Sequence, residues 1–254
     1  MIEKDLAKLD KTIDELRKRI KGVEDVRVGS DVFDKATLLT LYEFANKGLI
    51  DTLLGVIKTG KEANVFKAIG RDETRYAVKI HRIATSDFRD MWKYIDGDHR
   101  FKKIKRTKRS IVYAWAEKEF KNLKLAHEAG VRVPKPIAVK NNVLIMEFIG
   151  NEDPSKELKD CALENPEAIF MELRDSIRKL WMRGFVHGDM SEYNVLMHHG
   201  RPVIIDISQG VIKSHPMAEE LLMRDVSNLI RFFKRYFEID EDEAYAYVTG
   251  TSPS

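Results

Sequence analysis

The sequence predicts an α+β fold in two lobes behind a helical extension, and three observations predict it. Apolar residues near the N-terminus recur at helical spacing. From residue 55 they alternate as in strands, and after Gly150 they return to helical spacing. In a chain of 254 residues that is 43% hydrophobic, this leaves ample material for one large core or two smaller ones.

Taken in order, Leu6, Leu9, Ile13, Leu16 and Ile20 define an amphipathic helix. Asp34 caps a second helix over 35–47, and Gly48 stops it. Residues 55–68, "GVIKTGKEANVFKA", read as strand, turn, strand; "GRDE" at 70–73 is a turn and 74–80 a third strand. Residues 81–110 are polar and show no clean period. Helical spacing resumes over 111–129 and stops at Gly130. "VPKPIAV" and "VLIMEFIG" are two more strands, and Pro134 and Pro136 assign the first to a sheet edge. Asn165 and Pro166 open a helix with Ile169, Phe170, Leu173, Ile177, Leu180 and Trp181 on one face and Gly184 at its end. "HHGR" joins the apolar runs 195–197 and 203–205 as a hairpin, and Pro216 opens a last helix through Phe237. The expected organisation is a helical extension over 1–50, a strand-rich lobe with one helix and a flexible basic loop over 51–146, a hinge at 147–150 and a helix-rich lobe over 151–254. A cleft between two such lobes is the expected ligand site.

Several classes are excluded. No run approaches the roughly eighteen apolar residues of a membrane span. "MIEKDLAKLDKTI" lacks the apolar core of a secretory signal. The single cysteine, Cys161, rules out an internal disulfide framework and a cysteine-based zinc cluster, and points to the cytoplasm.

The chemistry concentrates in "VHGDMSEYN", residues 186–194. Asp189 and Asn194 have the spacing of a protein-kinase catalytic loop: acid, four residues, amide. The acid orients a hydroxyl and takes its proton, the amide oxygen holds a magnesium ion, and a second acid must hold that metal from a neighbouring strand end. Asp206, at the end of Val203-Ile204-Ile205, stands in that place. Either acid alone reads equally well as a turn or capping residue; the helix before, the strand pair after and the second acid together favour chemistry. "YAVKI" resembles the kinase third strand, which makes Lys79 the phosphate-binding lysine, although the pleat leaves open a lysine on a solvated face. Glu119 is chosen as its acidic partner, with Glu117 second. The turn Thr59, Gly60, Lys61, Glu62, Ala63, Asn64 and Val65 lies where phosphates are covered, yet it is neither G-x-G-x-x-G nor a Walker loop. The fold is therefore protein-kinase-like. Asp206 is followed by Ile207 and Ser208, not Phe-Gly, no Ala-Pro-Glu follows, and about ten residues to Pro216 are too few for a long activation segment. The C-terminal lobe is accordingly a reduced one. Asp225 either braces the catalytic loop from beneath or stands on a helix surface.

"TGKEANV", "WAEKEF", "HGDMSEYN" and "IIDISQ" together resemble the RIO family of atypical serine protein kinases, and "DVFDKATLLTLYEFANKG" resembles the N-terminal helical extension of its Rio1 branch. The resemblance covers nearly the whole chain. It implies ATP bound with Mg2+ or Mn2+, serine phosphorylation including autophosphorylation, ATPase activity, and a role in maturation of the small ribosomal subunit. By matching position it implies Asp189 as catalytic acid/base, Asn194 and Asp206 as metal ligands and Lys79 on the phosphates. It also makes Met146, Glu147 and Ile149 part of the hinge whose backbone receives adenine.

Residues 101–110, "FKKIKRTKRS", carry six Lys or Arg, with Phe88, Trp92, Tyr94 and Phe101 nearby. Such a cluster binds RNA phosphate or is merely a solvated loop. The 102–109 segment is thus the candidate contact with pre-ribosomal RNA, and Ser86, Thr107 and Ser110 are nearby candidates for self-phosphorylation. His99, His198 and His199 read as turn or surface residues. Two other functions fit part of the pattern: a small-molecule kinase of the aminoglycoside or choline type, which shares "HGD" and "IID", and an RNA-binding assembly factor that uses ATP as a switch.

Overall fold

The computed structural model describes residues 33–101 and 103–251, so the helix expected over residues 6–20 lies outside them. The described chain divides into two compact units. The first comprises residues up to 88 with 105–117 and 137–148; the second comprises 89–104, 118–136 and 149 onward.

The first unit opens with helix α1, Lys35–Asn46. Asp34 caps it, accepting from the Thr37 N–H at 2.8 Å, and Gly48 leaves it at φ 76°. Strands β1 (Thr52–Thr59), β2 (Ala63–Ile69) and β3 (Arg75–His81) follow, then β4 (Pro136–Lys140) and β5 (Val143–Glu147). Their order in one sheet is β1-β2-β3-β5-β4, so the proline-led strand is indeed at an edge. Alternate residues Phe66 and Ala68, Val78 and Ile80, Val143 and Ile145 face one core with Leu41 and Phe44 of α1. Polar groups stitch α1 to the sheet. Asn142 donates to Thr37 Oγ1 and to the His81 carbonyl, both at 2.9 Å, and the Thr37 hydroxyl donates to Asp34 Oδ1 at 2.7 Å.

Helix α2 (Phe88–Ile95), in the second unit from Arg89 on, and a short 3₁₀ turn (His99–Phe101) occupy a region with no legible period. Only Met91 and Ile95 of that helix are buried, too few to mark a repeat. Helix α3, Lys108–Glu128, contributes its residues through 117 to the first unit and the rest to the second. This differs from the expected lobe boundaries: 89–104 and 118–136 group with the later residues, because Lys118 and Asn122 hydrogen-bond the 207–210 backbone.

Helix α4 (Pro166–Met182) starts at an Asn165 cap and buries the predicted face from Ile169 to Trp181. Short strands β6 (Phe185–Val186) and β9 (Val211–Ile212) pair, as do β7 (Val195–His198) and β8 (Arg201–Ile204). The β7–β8 loop puts His199 and Gly200 at φ 52° and 72°, the left-handed pair of a two-residue hairpin. The expected last helix is α5 (Ala218–Phe233), which starts two residues after Pro216 and stops four short of Phe237; a further helix, α6 (Glu241–Thr249), follows it and was not expected. Residues 215–217 form a turn in which His215 accepts from the Ala218 and Met217 N–H groups. Asp240 caps α6 by accepting from Glu243 N at 3.0 Å, a start signal that lies beyond the expected helix end at Phe237. Phe170 meets Phe233 and Phe237 edge-on, each at 5.6 Å, and closes the core of α4 and α5.

Asp34→Ala removes the α1 cap. It is expected to lower stability by about 1 kcal/mol with an unchanged denaturant slope, measured by urea unfolding.

Candidate active site

The loop after β6 turns sharply because Gly188 sits at φ 81°. A Cβ there would stand 3.0 Å from the Gln209 carbonyl oxygen, so glycine is required by conformation and by space. His187 is buried and its two ring nitrogens are assigned by their partners. Nδ1 accepts from the Asp189 N–H at 3.2 Å, and Nε2 donates to the Ile205 carbonyl at 3.3 Å. Burial holds this imidazole down at about 4, against the opposing pull of the Ile205 carbonyl and of Asp206.

Asp189 is half-buried and Asp206 exposed. Asn194 donates through Nδ2 to the Asp189 carbonyl at 2.8 Å and to Asp189 Oδ2 at 2.9 Å. Burial raises the Asp189 carboxyl above the ordinary carboxylate range, the charge of Asp206 adds to this, and Asn194 and Arg224 oppose it. The β7–β8 ladder pairs Val195 with Ile204, and the Ile205 N–H donates to the Asn194 carbonyl at 2.9 Å. Asn194 and Asp206 are therefore brought to the same strand end, as their spacing predicts. Asp206 adopts φ 55°, uncommon for a residue with a side chain, and its Oδ1 accepts from Ser208 Oγ at 2.9 Å.

Asp225 braces the loop from beneath. It is buried on α5 and accepts from the Gly188 N–H at 2.7 Å and the Met190 N–H at 2.8 Å. Arg224 donates to the Gly188 carbonyl, and Asn228 Nδ2 to the Met190 carbonyl at 3.0 Å. Burial pushes the Asp225 carboxyl up to about 7, while the two amides and Arg224 favour its ionised form. Behind Asp206, Lys118 is wholly buried; burial pushes its ammonium down to about 7, Arg100 adding to the fall and Asp98 and Glu119 opposing it. Arg224, Asn228, Lys118 and Asn122 were not legible as site residues. Lys118 lies inside the "WAEKEF" motif, the one signal that could have drawn attention to it.

In the first unit, the turn from Thr59 to Asn64 closes with the Gly60 N–H on the Ala63 carbonyl at 2.9 Å. The segment after β3 holds this turn. Arg82 N–H donates to the Glu62 carbonyl at 2.7 Å, Thr85 Oγ1 to the Lys61 carbonyl at 2.6 Å, and Arg82 also reaches the Gly60 carbonyl at 3.4 Å. Ser86 is buried and donates to the Arg82 carbonyl, which removes it as an accessible phosphorylation site. Lys79 pairs across the sheet with Val65 on one side and Leu144 on the other, and is 7% exposed. Val65, Ala77, Leu144 and Met146 share its face. Asn64 does not: it pairs with Ile80, so its side chain lies on the opposite face, wholly buried and without a hydrogen-bond partner. Only its backbone can serve a nucleotide on the Lys79 face, a correction of the expected role. Glu147 is exposed at the end of β5, and the Ile149 carbonyl already accepts from Ser155 N–H at 3.0 Å. Glu119 is buried and Glu117 exposed, which separates the two candidate partners of Lys79; Glu119 belongs to the second unit and Lys79 to the first. In the basic segment, Lys108 donates to the Ala84 carbonyl and Arg109 pairs with Asp34 at 3.0 Å, so two of its cations already have partners in the fold.

A family model described as the RIO domain matches residues 64–246. A RIO-type serine/threonine-protein kinase Rio1 from Haloferax volcanii is 47% identical over 243 residues, covering 95% of this chain and 84% of that protein. The protein of the same name from Methanocaldococcus jannaschii is 42% identical over 238 residues, covering 92% and 81%. Among solved structures, a Rio2 kinase–ADP/Mg2+–phosphoaspartate complex from Chaetomium thermophilum shares the fold, with a TM-score of 0.63 at 23% identity over 85% of this chain and 67% of that one.

His187 carries a stability signature with pH. An imidazole depressed from 6.5 to about 4 leaves the unfolded chain binding the proton first. Its contribution is full above pH 6.5 and is lost as pH falls toward 4, by on the order of 3 kcal/mol. In His187→Gln this part of the acid-side fall in denaturant midpoint is expected to vanish, whatever the variant's stability at neutral pH.

Proposed function

The chain belongs to the RIO family of atypical serine/threonine protein kinases, and from that premise we propose how its residues carry out phosphoryl transfer from ATP. The observation that carries the reading is the Asn194 side chain. Its Nδ2 is committed to Asp189, so its Oδ1 is the atom left to a cation. With the Asp206 carboxylate this makes a pair of hard oxygen donors, and no group of three or more acidic, His or Cys residues that could hold a metal ion occurs among the described residues. Two protein ligands completed by phosphate oxygens are what Mg2+ or Mn2+ accepts in kinases, so the residues fit the metal. When bound, it would neutralise charge on the transferred phosphoryl group.

The chain's own groups do the rest. Asn194 holds Asp189 Oδ2, and Asp189 Oδ1 takes no hydrogen bond from the described residues. On this reading Asp189 accepts the proton of the attacking hydroxyl while that oxygen bonds to the γ-phosphorus. The bond from the γ-phosphorus to the β,γ-bridging oxygen breaks, and ADP leaves. Lys79 supplies positive charge to the phosphates, and the backbone of the turn over Thr59, Gly60, Lys61 and Glu62 covers them. Val65, Ala77 and Met146 offer adenine an apolar face, with the backbone near Met146 to read its edge. The phosphoaspartate of the Rio2 complex supports an ATPase variant of the same chemistry, in which a carboxylate oxygen of this site takes the phosphoryl group before water does.

A role in small-subunit maturation, contact with pre-ribosomal RNA through the basic segment and a cytoplasmic setting complete the reading. Lys103, Lys105, Arg106 and Arg109 are exposed cations that support the RNA contact. For self-phosphorylation Thr107 and Ser110 remain, although Thr107 caps α3 through the Ser110 N–H at 3.3 Å.

Asp189→Ala is expected to lower phosphoryl transfer about 10²–10⁴-fold, measured as self-labelling and ATP turnover, with ATP affinity within a few-fold of wild type. Wild-type rates in the variant would remove Asp189 from its role.

A further inference from the structure

Ordinary protein kinases place Phe-Gly after the metal-binding Asp, and the packing of that Phe sets active and inactive states. Here Ile207, Ser208, Gln209 and Gly210 follow Asp206, and polar contacts hold them instead. Lys118 Nζ donates to the Ser208 carbonyl at 2.9 Å and to the Gly210 carbonyl. One helical turn later, Asn122 Nδ2 donates to the Ile207 carbonyl at 2.9 Å and the Gly210 carbonyl at 3.0 Å. Lys118 and Asn122 are both 0% exposed. Asn122 is aimed by Arg100, which donates to its Oδ1 at 2.9 Å and is itself clasped by Asp98 at 2.6 Å.

An ammonium group withdrawn from water needs acceptors, and three carbonyls of one tetrapeptide supply them jointly to Lys118 and Asn122. The tetrapeptide closes on itself, the Gly210 N–H meeting the Ile207 carbonyl at 3.2 Å. With the peptide planes on either side of Ser208 fixed, its hydroxyl is presented to Asp206 Oδ1 at 2.9 Å. Asp206 is thereby kept at its left-handed φ of 55°.

We propose that Lys118, with Asn122, is a positioning residue that locks segment 207–210 so that Asp206 is held in one metal-binding arrangement. The lock takes the place of the Phe switch of ordinary kinases. It rests on the proposed metal role of Asp206 and goes beyond it, since Lys118 acts through the Ser208 and Gly210 carbonyls.

Lys118→Met keeps the length of the stem and removes the ammonium. Three measurements test the lock on the full chain: Mn2+ binding by electron paramagnetic resonance with a non-hydrolysable ATP analogue, affinity for the analogue without metal, and amide hydrogen exchange over 206–211. The lock predicts that Mn2+ binding weakens about 10–100-fold, as expected of a partner that orients a ligand. Metal-free nucleotide affinity stays within about threefold and exchange over 206–211 rises at least about tenfold, that is by about 1.4 kcal/mol of local opening. Unchanged Mn2+ affinity overturns the lock, and so does weaker binding with unchanged exchange, since the ammonium would then act only through its charge. A wild-type chain that binds no Mn2+ overturns the metal reading of Asp206 first. Should Lys118→Met fail to fold, Ser208→Ala cuts only the last link: weaker Mn2+ binding with native exchange supports the lock, and wild-type affinity refutes it.

Discussion

Two backbone N–H groups, those of Gly188 and Met190, end on one buried carboxylate, Asp225. The loop they belong to lies in neither helix nor sheet, so its polar backbone must find partners from another element or lose the free energy of burial uncompensated. Helix α5 supplies them from one face: Arg224 and Asn228 take the neighbouring carbonyls and Asp225 takes the amides. The position of Asp189 depends on this brace, while the left-handed turn at Gly188 is supplied by glycine itself, which takes a positive φ without steric cost. The brace and His187 respond to pH in opposite senses. A carboxyl raised to about 7 contributes most below its ordinary value of 3.8 and loses that contribution as pH rises through 7. The depressed imidazole of His187 works the other way. Their sum narrows the change in stability across the acid range.

The same need recurs after Asp206. Segment 207–210 has no ladder of its own, and its carbonyls are met by Lys118 and Asn122 from α3. The two irregular segments are not independent. The Gln209 carbonyl lies where only a glycine at 188 leaves room, and Arg224 reaches from the Gly188 carbonyl to Gln209 at 3.5 Å. A displacement of either acid's support is therefore felt by the other, within one unit of the chain.

In the first unit the controlling fact is that β3 is buried on both faces. Val78 and Ile80 belong to the core under α1, and Lys79 faces the other way with Val65 and Leu144. A lysine so placed loses hydration on a nearly closed surface, which suits the phosphate contact proposed for it. The turn before β2 is held at its carbonyls by Arg82 and Thr85, so its shape does not depend on the glycine-rich pattern of other kinases.

The residues alone determined the alternation of strands over 55–80, the edge placement of the strand at Pro136, the capped starts of α1 and α4, and the convergence of Asn194 and Asp206 at one hairpin end. These follow from nearest-neighbour chemistry: caps, turns, pleat and short-range pairing act within a few residues and leave a repeating mark. The motif set carried the family for the same reason, since the groups that do chemistry lie in short contiguous runs. What tertiary structure decided was which side chains serve the loops from a distance. Asp225 and Gly188 are separated by 37 positions, and Lys118 and Ser208 by 90. No period marks such pairs, and Asp225 reads equally well as a surface acid until the helix is packed. The sheet register likewise put Asn64 on the face opposite Lys79, because a pleat assigns faces only once the strands are paired.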